Sequence, residues 1–116
     1  MPDQRPPNPA LADLAASLGE RDARKVVRVF LQTFPAMLHD LSRGDATRSR
    51  RAAHGLKSSA RQMGADALAD RMADLERRLA VPNSRVTTED LTAAARDFTE
   101  AAGPLRSFAA GQPARP

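Results

Sequence analysis

The sequence predicts an all-α fold, an up-and-down antiparallel four-helix bundle with a short extra N-terminal helix. Apolar residues recur at three- and four-residue spacing in five successive stretches, as in helices that each bury one face. The apolar set is mainly Ala, Leu, Val and Met, with four Phe, no Trp, no Tyr and almost no β-branched runs to favour strands. At 116 residues and 41% hydrophobic, the chain has the material for one core and one domain.

Residues 1–8 and 111–116 are rich in proline and polar groups and lack apolar periodicity, so disordered tails are expected around a bundle over residues 9–110. The first helix takes Asn8 as its cap and Pro9 at its first position, carries Leu11, Leu14 and Leu18 as a stripe, and stops at Gly19. The second is expected from near Asp22, with Val26, Val27, Phe30, Phe34, Leu38 and Leu41 on one face and Gly44 as its stop. Pro35 falls inside that pattern and removes one backbone bond, which predicts a kink rather than a break. Asp45 caps the third helix, whose inward face of Ala52, Ala53, Leu56, Ala60 and Met63 is small-sided and which ends near Gly64. Leu68, Met72, Leu75 and Leu79 make the narrow stripe of the fourth, which Pro82, Asn83 and Ser84 terminate. The fifth starts after Thr87 and turns Leu91, Ala94, Ala95, Phe98, Ala101, Ala102 and Leu105 inward, with Gly103 and Pro104 distorting its last turns. Short connections make successive helices antiparallel, and four single-stripe helices bury their stripes best as a bundle.

Composition removes several kinds of function. Without cysteine there is no disulfide, thiolate nucleophile or cysteine-ligated zinc. No apolar run approaches the ~20 residues that span a bilayer and the N-terminus has no apolar signal segment, so a cytoplasmic protein without membrane contact is expected. The 18 basic residues are interspersed with 14 acidic ones, and no aromatic side chains alternate with the one dense cluster, Arg48, Arg50 and Arg51. Nucleic-acid binding is therefore not expected, and the surplus charge suits an acidic protein surface.

Chemistry concentrates on the third helix. Each helical residue advances about 100°, which puts Leu56 roughly 200° from His54 and turns the histidine away from the core. Arg50, Arg51, Lys57 and Ser58 lie one turn from it, and Arg61 two turns away. Surrounding cations oppose a further positive charge on the imidazole, so the pattern suits a neutral, nucleophilic ring. A phosphoryl group on that ring would meet Lys57 and the arginines as counter-charges and Ser58 as a hydrogen-bond donor. Glu76 sits about 70° from the centre of the fourth helix's stripe, where it can lean toward the third. His39, off the core stripe and with no lysine three residues on, reads as an ordinary solvated side chain.

The run Ala53-His54-Gly55-Leu56-Lys57-Ser58-Ser59, followed by Gly64-Ala65, Leu68 and Leu75-Glu76, resembles the signature of histidine-containing phosphotransfer domains. The similarity extends in order and spacing from about residue 10 to residue 109. It implies a helical bundle in a two-component phosphorelay that carries a phosphoryl group without kinase or phosphatase activity of its own. The group would come from a receiver-domain aspartate or a kinase and pass to a response-regulator receiver aspartate. On this resemblance His54 is the phosphorylated residue, Lys57 steadies the phosphate, and Glu76 accepts a hydrogen bond from ring Nδ1 so that Nε2 is free to attack. Arg50, Arg51, Gly55, Ser58 and Arg61 would surround the phosphate and meet the partner. The implied partners are receiver domains of a hybrid histidine kinase and of a response regulator, met by a monomer. No cofactor or metal site is implied in this chain, the magnesium ion belonging to the partner receiver. The chain departs from the family pattern at Ser58, usually glycine, and at Ala60, usually the second serine. The competing reading is a phosphorylation-independent helical adaptor for a receiver or kinase domain, against which the pairing of His54 with Lys57 argues. Nothing resembles the Gly-rich nucleotide loop of a kinase.

Overall fold

The computed structural model describes residues 6–111, which form five α-helices and, among the described residues, no strand. They are α1 (Pro9–Leu18), α2 (Glu20–Asp40), α3 (Ala46–Gln62), α4 (Asp66–Leu79) and α5 (Thr88–Ala109). The helices α2 to α5 form an antiparallel bundle in which α3 packs most extensively on α4 and α2 on α5, while α1 lies against α2 and α3. The tails expected over residues 1–8 and 111–116 fall mostly outside the described residues.

Local chemistry sets the helix ends. The side chain of Asn8 accepts the Leu11 N–H at 2.9 Å and that of Asp45 accepts the Arg48 N–H at 2.9 Å. A single residue, Gly19, separates α1 from α2, because its φ of 86° turns the chain without a loop. Helix α2 accordingly starts at Glu20, not near Asp22, and both acids occupy its first turn where the helix dipole favours them. It stays helical through Pro35, as α5 does through Pro104. At the end of α3, Gly64 takes φ 73° and the Ala65 N–H reaches back to the Ala60 carbonyl at 2.9 Å, a Schellman-type stop. Asn8 reaches this turn as well, its Nδ2 donating to the Met63 carbonyl at 2.9 Å.

The core is aromatic on one side and small on the other. Phe34 stacks on Phe98 with ring centroids 5.0 Å apart and Phe30 sits against both, joining α2 to α5. Ala53 and Ala60 are fully buried on α3, and their small side chains let α4 come close. The expected stripes need correction at their ends. Leu18 is 46% exposed and Ala95 faces solvent, whereas Phe108 and Ala109 continue the buried face of α5 beyond Leu105. The reason lies in α2: Arg24 donates to the Phe108 carbonyl at 3.2 Å and covers its ring, and Arg28 donates to the Ala109 carbonyl at 2.7 Å. These bonds fall on carbonyls of the last helical turn, of which that of Phe108 also accepts the Gly111 N–H at 3.0 Å.

Thr87 and Asp90 form a capping box at the start of α5, and Arg78 of α4 donates to both Asp90 oxygens, at 2.7 and 3.1 Å. The Arg78 guanidinium, more than the Thr87 bonds, holds the Asp90 carboxyl down at about 2 against an ordinary 3.8. A carboxyl depressed in the folded state stabilises the fold above its unfolded pKa, and the contribution fades as pH falls through 3.8 toward 2. With Arg78 half-exposed and the pair screened by solvent, its size near neutrality is about 1 kcal/mol. Asp90→Asn is expected to unfold at lower denaturant than wild type at pH 7, the gap closing at pH 2; a gap independent of pH would assign it to something other than the charge.

Candidate functional site

Ala53 and Leu56 are buried, so helical geometry turns His54, which follows Ala53, outward, and its side chain is 60% exposed. On α4, Leu75 and Leu79 are fixed in the core. That registers Glu76 on the flank facing α3, and the small side chains of α3 bring it within bonding distance. One Glu76 oxygen lies 2.8 Å from His54 Nδ1 and the other 2.7 Å from Lys57 Nζ. His54 and Lys57 are three residues apart on α3 and so face the same carboxylate.

The Lys57 ammonium, opposed by burial and aided by the His54 ring, holds the Glu76 carboxyl below the usual carboxylate range. An ionised carboxylate has no proton to give, so the hydrogen bond runs from His54 Nδ1–H to Glu76. The proton being on Nδ1, the lone pair of a neutral ring is on Nε2, the other nitrogen.

The structure joins three of the residues singled out in the sequence, His54, Lys57 and Glu76, in one network. Arg50, Arg51 and Ser58 are exposed around it and make no hydrogen bond to it among the described residues. Arg61 is exposed with a loose 3.9 Å pairing to Asp70, and Gly55 is half-buried. Lys57, expected to steady the phosphate, has its ammonium resting on Glu76. Sequence reasoning assigned Glu76 one partner; the i, i+3 spacing of His54 and Lys57 was the signal for the second. It also passed over Val29 and Met37 on α2, which remain 57% and 40% exposed. Their signal was two large apolar residues lying off the helix's core stripe.

Fold and site together define a helical bundle that presents one solvent-facing imidazole oriented by a carboxylate. The family model of the Hpt domain matches residues 25–105, and the chain belongs to that family. Hpt domains are four-helix bundles that carry phosphoryl groups, are not catalytic enzymes, and generally partner with receiver domains. The matched span holds the whole His54 network and leaves α1 outside. No curated protein and no solved structure gives a significant match. Among the described residues no helix is long and apolar enough to cross a membrane.

Proposed function

We propose that this chain carries phosphoryl groups in a two-component phosphorelay on Nε2 of His54, taking them from a receiver aspartate or a kinase and passing them to a response-regulator receiver aspartate. The observation that supports this is the bond from Nδ1 to Glu76 beneath an exposed ring. Nε2 attacks the phosphorus of the donor aspartyl phosphate in line; the N–P bond forms as the P–O bond breaks and the aspartate leaves as a carboxylate. The ring then bears a positive charge, which Glu76 offsets across Nδ1–H, and onward transfer reverses the same steps. Lys57, held within reach by Glu76, supplies the cation for the phosphate. Arg50, Arg51 and Arg61 steer the acidic pocket of a receiver, which brings its own magnesium ion. The receiver docks over α2 and α3, with Val29 and Met37 as its apolar contacts and with Gly55 and Ser58 leaving the histidine accessible. The bundle over residues 9–110 acts as a cytoplasmic monomer.

Incubating the chain with phosphorylated receiver domains from its own cell tests the reading. Rapid appearance of acid-labile phosphate on the chain supports it; failure with every receiver leaves the adaptor reading. Glu76→Ala is expected to slow this transfer about tenfold, the rate equivalent of one charge-assisted hydrogen bond. Glu76→Gln should stay nearer wild type, because its amide oxygen still accepts from Nδ1. Ring-nitrogen NMR checks the cause: an unchanged tautomer balance in Glu76→Ala would remove Glu76 from the orienting role.

A further inference from the structure

Glycine inside a helix is less favourable than alanine and needs a local reason. Gly19, Gly44, Gly64 and Gly111 have one, a positive φ. Two glycines are helical, Gly55 and Gly103, and a Cβ on either would meet nothing within 4 Å. Gly103 precedes Pro104, whose ring crowds the Cβ of a helical predecessor. Gly55 precedes Leu56 and has no such neighbour. The fold therefore has no use for a glycine at the position next to His54, where alanine would fold better.

Its place on the helix shows what it exposes. Lys57 and Glu76 occupy one side of His54. Gly55, Ser59 and Gln62, at i, i+4 and i+7, share the opposite flank, and Ser59 and Gln62 line a shallow groove of about 130 Å³ with Val29 and Met37 of α2. A surface seated on these two exposed apolar side chains reaches the imidazole by crossing Gly55. We propose that the receiver's backbone beside its phosphorylated aspartate lies across Gly55, whose missing Cβ sets how closely phosphorus approaches Nε2. This rests on the carrier reading above and adds which flank of α3 the partner covers. Arg50 and Arg51, without an ion pair among the described residues, complement an acidic partner on the same helix.

The test compares Gly55→Ala and Gly55→Leu in the full chain by thermal unfolding and by two phosphoryl donors. One donor is phosphoramidate, too small to touch α2; the other is a phosphorylated receiver that labels the wild type. With either, the N–P bond at Nε2 forms as the donor's own bond to phosphorus breaks, releasing ammonia or the aspartate carboxylate. Gly55→Ala is expected to raise the Tm by about 4 °C. Labelling by phosphoramidate should slow far less than transfer from the receiver in both variants. Transfer from the receiver should fall about tenfold for alanine and about a hundredfold for leucine, as the reacting atoms are held apart. Unchanged receiver transfer overturns the inference, as does equal slowing with both donors or a lowered Tm for Gly55→Ala. A wild-type chain that no phosphorylated receiver labels instead overturns the carrier reading, and this inference with it.

Discussion

Replacing His54 with glutamine is expected to abolish acid-labile phosphorylation while leaving the bundle folded. The loss should be complete, because glutamine has no nucleophilic ring nitrogen and no other histidine in the described residues is bonded to a carboxylate. The fold should tolerate the change. The side chain is 60% exposed, and Glu76 keeps its 2.7 Å bond to Lys57, so no buried charge is orphaned. Exposed substitutions of this kind shift stability by less than about 0.5 kcal/mol. Circular dichroism and thermal unfolding check the second half of the expectation, and labelling by a phosphorylated receiver checks the first. Label at the wild-type rate would place the phosphate elsewhere, with exposed His39 the next residue to replace.

The largest loss of stability is expected at Gly64→Ala, about 2–4 kcal/mol. Two separate effects add there. A left-handed φ of 73° costs a residue with a Cβ about 1–2 kcal/mol. The new Cβ would also lie 2.2 Å from the carboxamide of Asn8, a short side chain committed to two hydrogen bonds. Displacing it removes the cap of α1, worth about 1 kcal/mol, and the donor to the Met63 carbonyl, worth about as much. Urea unfolding of the double-mutant cycle with Asn8→Gly separates the two effects. The penalty of Gly64→Ala should shrink by at least about 1 kcal/mol once Asn8 has no side chain to displace. Equal penalties in both backgrounds would show that the backbone conformation alone accounts for the loss.

Whatever depends on neighbours along one helix was legible in the sequence. The outward direction of His54 follows from the position of Leu56, and Asn8 and Asp45 could be placed as caps because a cap acts on residues two or three further on. The Hpt resemblance rested on the same local spacing, and the family match bears it out. Contacts between distant segments were not legible. The bonds of Arg24 and Arg28 to α5 join residues more than 80 positions apart, so the burial of Phe108 and Ala109 left no periodic trace near Arg24. The i, i+3 spacing puts Lys57 beside His54, but angular position shows which way a side chain leans, not how closely two helices approach, so the second partner of Glu76 was signalled without being fixed. That distance is set by Ala53 and Ala60, which periodicity reports only as apolar.

The double engagement of Asn8 separates the segment that defines the family from the segment that folds. A polypeptide cut at Lys25, where the family match begins, would keep every residue of the His54 network. It would lose the donor to the Met63 carbonyl, the fully buried Leu11 and Ala23, and the Arg24 side chain that closes the end of α5. The helix that bears His54 would then end without its clasp and beside an apolar hollow. The minimal autonomous unit is therefore expected to be longer than its family segment and to extend back at least to Asn8, which urea unfolding of the cut polypeptide checks.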